Sequence, residues 1–252
     1  MKLEILLSTL NFDKRNFNNM NISTKCIIVN ECDIERYEKY KNAHIYNITK
    51  LGTSISRNYA LSKACSDIVL FCDDDVVYEK NFEKIVIDEF EKNKDADIIF
   101  FNLKSNREYK ENRKSKRLHF YNILRYGCYN MAVRRDSLGN IRFNELFGGN
   151  SIYGSGEDTL FIVDAYKNKL KLYSSKEYIG EVNHVNSSWF NGYNEKYFFD
   201  KGALFCAINR NIRFLLCIQY LFRYKRYTKE IGFSKAFKMM INGCNDYLKR
   251  NN

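Results

Sequence analysis

Short apolar runs alternate with helix-like patterns through the first half of the chain. Continuous apolar runs bounded by polar residues are typical of buried strands, and they lie at residues 3–8, 25–30, 67–72 and 97–103, with a weaker run at 44–48. Residues 54–64 and 81–92 place apolar side chains at helical spacing, and Thr53 or Ser54 is the expected N-cap of the first of these helices. Strands that alternate with helices predict an α/β fold, with a mostly parallel sheet flanked by helices on both faces.

The second half of the chain has a more mixed pattern and becomes basic toward its end. Residues 128–134 alternate like a strand, 157–168 indicate a helix, and 170–173 and 178–185 indicate short strands. From about residue 189 the pattern is helical, with helices expected near 200–223 and 234–249. The sequence therefore predicts an α/β domain over residues 1–189 and a basic, aromatic helical tail over residues 190–252.

Composition excludes several classes of protein. The chain has 252 residues, of which 45% are hydrophobic, and this is enough for a folded core rather than global disorder. No apolar run approaches the roughly 20 residues that cross a bilayer, and the N-terminus lacks the pattern of a signal peptide. The eight cysteines form no Cys-x-x-Cys pair, and there are only three histidines. We therefore expect a cytoplasmic protein with reduced, structural thiols.

The formal charge of +11 is concentrated in two segments. Residues 104–118 carry +5 and residues 185–252 carry +8, which leaves the rest of the chain at −2. The 104–118 segment is either a solvated loop or a contact for a phosphate of a bound molecule. The tail has two interpretations: its helices pack on the α/β domain and expose a basic face, or they lie on an anionic membrane.

Two groups of carboxylates carry the candidate chemistry. Asp73, Asp74 and Asp75 directly follow a predicted strand, and the carboxyl ends of strands are where open α/β sheets bind ligands. Side chains two residues apart on an extended backbone point the same way, so the first and third acids could share a hard divalent cation. The alternative is an acidic turn that caps the next helix.

The second group is Glu157 and Asp158, which follow a glycine-rich stretch and open a predicted helix. Acids at that position also interact favourably with the helix dipole, so the pair has a purely structural explanation too. The glycines match neither a dinucleotide fingerprint nor a Walker loop. His184 ends a predicted strand, and Trp189, the only tryptophan, could lie in the core or stack on a sugar.

Three segments resemble the family-2 glycosyltransferases, which are inverting, nucleotide-sugar-dependent enzymes with the GT-A fold. The segments are GTSISRNYA at 52–60, DIVLFCDDD at 67–75 and GED at 156–158. They occur in family order, and the resemblance covers about residues 1–187. One departure is visible: the first strand ends in STLN rather than in the commoner proline-containing sequence, which weakens the identification of the nucleotide.

The resemblance implies a set of donor-binding residues. Thr9 and Asn11 would line the uridine pocket, and Arg57 would face the nucleotide or its diphosphate. Asp73 would hold the ribose, with Asp74 beside it in the nucleotide-sugar site.

The resemblance also implies which residues bind the metal and which act on the acceptor. Asp75, with Asp73 and His184, would hold Mn²⁺ or Mg²⁺ on the diphosphate. Asp158 would be the general base that removes the proton of the acceptor hydroxyl, and Glu157 would support it or contact the acceptor. Trp189 is a candidate contact for the acceptor sugar.

The expected function is therefore metal-dependent transfer of a hexose, from UDP as the expected carrier, to a hydroxyl of a lipid-linked glycan. Assembly of a bacterial capsule, O-antigen or exopolysaccharide at the inner face of the cell membrane would suit such an enzyme. One alternative is a nucleotidyl- or phosphoryl-transferring enzyme, which would need a Gly- and Lys-rich phosphate loop that the sequence lacks. Another is a nucleic-acid-binding module that uses the tail, for which no known motif is present. The sequence does not indicate an oligomeric state.

Overall fold

The computed structural model describes residues 1–105, 110–182 and 192–251, and a ten-stranded sheet runs through this part of the chain. The strands are β1 (Leu3–Leu10), β2 (Lys25–Glu31), β3 (Arg36–Tyr40), β4 (Ala43–Ile48), β5 (Ile68–Asp73), β6 (Val76–Tyr78), β7 (Ile98–Ser105), β8 (Lys116–Arg117), β9 (Met131–Arg134) and β10 (Leu172–Val182). The helices are α1 (Lys14–Asn19), α2 (Thr53–Lys63), α3 (Phe82–Lys92), α4 (Phe120–Ile123), α5 (Glu157–Lys167), α6 (Glu195–Ile208), α7 (Arg213–Arg223) and α8 (Phe233–Arg250).

The sheet combines a parallel half with a mixed half, in which β7 and β10 are parallel to each other. Its order is β3-β4-β2-β1-β5-β9-β7-β10-β6, and β8 pairs with β10. Strands β4, β2, β1 and β5 are parallel to one another, as their continuous apolar runs predict. Strand β9 then enters antiparallel between β5 and β7, and β3, β6 and β8 add antiparallel pairings. The predicted α/β fold with flanking helices is confirmed, and the sheet is mixed because β3, β6, β8 and β9 run antiparallel to their neighbours.

Alternating residues of the central strands bury two cores, one on each face of the sheet. On one face Leu6 of β1 shares a core with α2, α5, α6 and α8, and on the other face Ile5 and Leu7 share a core with α1 and α3. Phe82, Val86 and Phe90 bury the apolar stripe of α3 completely, as its helical spacing predicts.

Three local predictions need correction. The two short strands expected at 170–173 and 178–185 are one strand, β10, interrupted by register shifts. The helix expected over 200–223 is two helices, because Asn209 adopts an extended conformation and its side-chain oxygen accepts a hydrogen bond from the Asn211 amide at 2.9 Å. Gly52, not Thr53 or Ser54, occupies the N-cap of α2.

The tail helices pack against the rest of the protein. The side chain of Tyr153 donates a hydrogen bond to Asp246 of α8 at 2.8 Å, and Lys167 of α5 caps the carbonyl of Ile208 at the end of α6 at 2.7 Å. The expected boundary between residues 189 and 190 falls in the segment 183–191, outside the described residues, and it stays a prediction. No helix in the described ranges has the length and apolarity needed to cross a bilayer.

Candidate active site

The carboxyl ends of the parallel strands bring the first group of candidate residues together. Ser8 of β1 is in register with Asp73, the last residue of β5. One residue beyond each, the Thr9 hydroxyl donates a hydrogen bond to the Asp74 carboxylate at 2.5 Å. The Asn16 amide donates to the Asp74 carbonyl at 2.7 Å, which fixes α1 over the same turn.

A cavity of about 300 Å³ lies at this edge of the sheet. Thr9, Asn11 and Asp74 line it together with Phe12 and side chains of α1. Asn11 has a positive φ of 55°, which asparagine tolerates better than most residues, so it allows the chain to turn sharply after β1. Three residues predicted from the resemblance to bind the nucleotide therefore share one polar cavity.

Arg57 of α2 links the two groups of carboxylates. Its guanidinium donates to Asp158 at 2.5 Å and to Glu157 at 3.4 Å through Nη1, and to Asp73 at 3.0 Å through Nη2. The Arg57 side chain is only 5% exposed, whereas those of Asp73 and Asp158 are 40% and 26% exposed. The planar fork of arginine suits this role, because it can serve several carboxylates from one fixed position.

The pKa values around Arg57 reflect this concentration of charge. Burial disfavours the charged guanidinium, but Asp158 and Asp73 outweigh that effect and raise the pKa of Arg57. Burial and the adjacent Asp158 carboxylate raise the pKa of Glu157 to about 7, although Arg57 opposes the shift. Partial loss of solvent around the Asp73 carboxylate also raises its pKa, again against Arg57. Perturbed carboxylates in a cleft are a common feature of catalytic sites.

The polar residues on either side of Arg57 anchor α2. The hydroxyl of Ser54 donates to the carbonyl of Phe147 at 2.6 Å, and that of Ser56 donates to the buried Glu31 at 2.8 Å. The side chain of Asn58 holds both the amide and the carbonyl of Phe143, at 2.8 and 2.9 Å. The polar residues of the motif at 52–60 therefore hold α2, and Arg57 with it, against the loop that leads to α5.

Glycines allow that loop to approach α2 and α6 closely. Gly156, the N-cap of α5, has a φ of 117°, and a Cβ there would come within 2.9 Å of the Leu204 side chain on α6. A Cβ on Gly148, whose φ is 114°, would lie 3.3 Å from the Ser54 hydroxyl. The amide of Gly154 donates to Asp200 of α6 at 3.0 Å. The tail thus helps to position the acidic pair at the start of α5.

The acids at the end of β5 offer carboxylate oxygens, the ligands that hard divalent cations prefer. No group of three His, Cys, Asp or Glu side chains suited to a metal ion occurs within 1–105, 110–182 and 192–251. Mg²⁺ and Mn²⁺ nevertheless need only one or two carboxylates when a substrate diphosphate supplies further oxygens. Asp73 and Asp75 fit that requirement, with one oxygen of Asp73 committed to Arg57. His184 and Trp189 lie outside the described residues.

Some residues of the site carried no signal of their own in the sequence. Glu31 directly follows the strand predicted at residues 25–30. Besides the Ser56 hydroxyl, it accepts a hydrogen bond from the Gly52 amide at 3.0 Å. Lys201 of α6 lies close enough to Glu157 to be influenced by its charge, and burial lowers the pKa of Lys201. Its helical neighbour Asp200 also bonds Lys196 at 2.5 Å. In the sequence, an acid at the end of an apolar strand and charged residues within a helical pattern could have pointed to these residues, but neither feature is specific.

Comparison with known proteins agrees with this geometry. The model of the glycosyl transferase family 2 matches residues 24–147. That segment includes Arg57 and the acids at 73–75 and ends before Glu157. None of the curated protein sequences matches this chain.

Solved structures match the fold over nearly the whole chain. S. aureus TarS 1–349 in complex with UDP-GlcNAc has a TM-score of 0.70 at 18% identity, covering 99% of this chain and 81% of that one. Its complex with UDP has a TM-score of 0.65 at 18% identity, covering 93% and 75%. The mannosyltransferase PcManGT from Pyrobaculum calidifontis, in complex with GDP-Man and Mn²⁺, has a TM-score of 0.55 at 10% identity, covering 98% and 75%. These matches confirm the GT-A fold, and with the family match they favour sugar transfer over the two alternative functions.

Proposed function

Because the chain belongs to glycosyl transferase family 2, we propose that it moves a hexose from UDP to a hydroxyl of a glycan, with inversion at the anomeric carbon and with the help of a divalent cation. The observation that carries this proposal is the Arg57 network. It joins Asp73, on the donor side, to Asp158, on the side where a base is needed, through contacts of 3.0 and 2.5 Å.

The cavity beside Thr9, Asn11 and Asp74 is the proposed site of the nucleoside. Hydroxyl, amide and carboxylate groups around it match the donors and acceptors of a uracil and a ribose. TarS has been solved with UDP and with UDP-GlcNAc, which supports a UDP-linked donor here. Asp73, at the end of β5, would hold the ribose, and Arg57 would lie below the diphosphate.

Asp158 is the proposed general base. Its Oδ1 atom accepts from Arg57, and its Oδ2 atom accepts from the Cys128 amide at 3.0 Å, so the carboxylate is held in one orientation. In the reaction it takes the proton of the acceptor hydroxyl while that oxygen bonds to the anomeric carbon. The bond to the diphosphate breaks on the opposite face, and the diphosphate leaves with the electron pair. Glu157 supports the base or contacts the acceptor.

Asp75, Asp73 and His184 are the proposed ligands for Mn²⁺ or Mg²⁺, which when bound would neutralise charge on the leaving diphosphate. PcManGT, solved with GDP-Man and Mn²⁺, supports a divalent cation in this fold. Arg57 pairs with Asp73, one of these ligands, at 3.0 Å, so the chain also supplies its own positive charge beside the proposed cation.

The acceptor is proposed to be a lipid-linked glycan of a capsule, O-antigen or exopolysaccharide, with Trp189 as a contact for its sugar. The enzyme would then work in the cytoplasm at the inner face of the cell membrane, with its tail associated peripherally with lipid. The near-neutral catalytic segment and the basic tail support this division of roles.

A thermal-shift screen of nucleotide sugars, with and without Mn²⁺, tests the proposal. A bound UDP-sugar at about one hundred times its Kd should stabilise the fold by about 2.7 kcal/mol, which corresponds to a rise of about 5 °C or more in Tm. We expect this rise only with Mn²⁺ present, and we expect Asp75→Asn to lose it while Asp136→Asn, a substitution of an exposed acid, keeps it. If no nucleotide sugar raises Tm under either condition, the proposal is wrong.

A further inference from the structure

The outer face of α7 exposes a row of large apolar side chains. Leu215 and Phe222 are 62% and 69% exposed, and Phe214 and Ile218 are about 40% exposed. Their spacing of three and four residues puts them on one side of the helix. The adjoining side of the helix buries Cys217 and Leu221 in the protein core. The apolar surface of α7 is therefore wider than the part that the protein covers.

Exposed apolar side chains are concentrated in α7 and its immediate neighbours. Of the fifteen large apolar side chains exposed in the described ranges, six lie between Ile212 and Phe233. The tyrosines of the tail, in contrast, are engaged with one another: Tyr193 stacks on Tyr227 with ring centroids 3.9 Å apart, and Tyr224 stacks on Tyr227 at 5.2 Å. Helices α6 and α8 direct their apolar faces into the core. The stacked tyrosines of the tail are thus mainly structural, and the uncovered apolar surface belongs to α7.

Basic side chains surround this surface. Arg213 and Arg223 lie at the two ends of α7, which contains no acidic residue, and the exposed Lys225, Arg226 and Lys229 follow it. The guanidinium of Arg213 lies over the Phe214 ring, 4.2 Å from its centroid. A long basic side chain can follow an apolar surface and still present its charge at the edge of that surface.

We propose that the outer face of α7 binds the surface of an anionic lipid bilayer. The helix has 11 residues, about 16 Å at 1.5 Å per residue, so it lies in the interface instead of crossing it. Leu215, Ile218 and Phe222 enter the boundary between headgroups and acyl chains, and the basic side chains meet the lipid phosphates. Two copies of the chain paired through this face would bring Arg213 and Arg223 into a like-charged interface, so charge favours lipid over a second copy.

Only the biological role of this lipid binding rests on the proposed function. In that role, the enzyme would find its lipid-linked acceptor on the bilayer that α7 binds. The binding itself depends on α7 alone. A physical connection to the site exists through α6, where Asp200 bonds the Gly154 amide and Leu204 contacts Gly156. Lipid binding by α7 would therefore fix the acidic pair at a set position relative to the membrane.

Sedimentation of the full chain with lipid vesicles tests the proposal. We expect the protein to sediment with phosphatidylglycerol-containing vesicles, and to do so less with added salt or with phosphatidylcholine alone. The double variant Leu215→Ser/Phe222→Ser should bind the anionic vesicles about tenfold more weakly or worse. The matched control is Ile34→Ser/Tyr121→Ser, because these two side chains are 67% and 79% exposed at a distance from α7 in the sequence. It should bind as the unmodified protein does.

Two results would overturn the proposal: unmodified protein that does not sediment with anionic vesicles, or an α7 variant that sediments as well as the control. If light scattering shows instead that the α7 substitutions only dissociate an oligomer, the face is an interface between copies. The thermal shift by a nucleotide sugar is measured on the same α7 variant and should be unchanged. Loss of that shift in every protein, with vesicle binding intact, would contradict the proposed function and leave the lipid site standing.

Discussion

Arg57 is the residue on which the two halves of the candidate site depend. It is buried, and it pairs with Asp73, Glu157 and Asp158 at once. Removing one partner from such a buried group leaves uncompensated charge and typically costs about 3–5 kcal/mol. Because three carboxylates surround a single cation, the site is preformed and carries an excess of negative charge, which suits a cationic cofactor.

We expect Arg57→Lys to disturb the position of the proposed base, Asp158, more than the binding of the donor. Lysine keeps the charge but cannot reach carboxylates on both sides with a planar fork. The kcat should fall by about 10²-fold, with a much smaller change in the KM for the donor, because a misplaced base costs rate more than binding. Steady-state kinetics measure both constants. Lys50→Ala, which removes a pair exposed at the surface, should change neither, and equal effects of the two substitutions would contradict the role of Arg57.

Glu157 should make stability depend on pH. Its pKa is raised to about 7 in the fold, from an ordinary value of 4.5, so the folded state holds a proton more tightly than the unfolded state. The stabilising contribution is complete below pH 4.5 and is lost as the pH rises through 7.

Glu157→Gln removes this titration. Its stability relative to the unmodified protein should therefore rise by about 2 kcal/mol between pH 5 and pH 8. Urea unfolding at the two pH values measures the difference. A relative stability that stays constant, or that falls with rising pH, would show that the acid is not held in this state.

The elements that could be predicted from the sequence are those with a strong local pattern. The observed ends of β1, β2, β5 and α3 lie within one or two residues of their predicted positions. The break after α6 escaped prediction because apolar spacing continues through Asn209, and only its extended backbone ends the helix. The antiparallel position of β9 depends on its two neighbours in the sheet, and no local pattern encodes that choice.

Helices α6 and α8 cross closely at two glycines, Gly202 and Gly243, and substitution of these glycines tests the packing of the two helices. A Cβ on Gly202 would lie 1.9 Å from the Met240 carbonyl oxygen, and one on Gly243 would lie 1.9 Å from that of Phe199. Backbone atoms cannot move aside as a side chain can, so Gly202→Ala should destabilise the protein by about 3 kcal/mol. Gly139→Ala has open space around it, and its backbone strain at φ 48° and ψ −116° should cost less, about 2 kcal/mol. Urea unfolding should rank the two in that order, and equal losses would contradict the close crossing of α6 and α8.

At the scale of the whole molecule, long-range pairings turn separate motifs into one site. Arg57 and Asp158 are 101 residues apart, and the hydrogen bond between Thr9 and Asp74 spans 65 residues. Each motif was visible in the sequence, and the resemblance to a family predicted that they meet. The network of Arg57 with three carboxylates and the contact of the tail with the loop before α5 needed the structure, because both depend on how distant elements pack.

The central claim is that this site performs an inverting sugar transfer with Asp158 as its base. Slow hydrolysis of an α-linked UDP-sugar, with water as the acceptor, can be followed by proton NMR of the anomeric position and needs no knowledge of the natural acceptor. We predict that the β-anomer appears first, and that Asp158→Asn hydrolyses at least about 10²-fold more slowly while still binding the donor. An α-anomer released first, or an Asp158→Asn enzyme that keeps more than about a tenth of the rate, would contradict it.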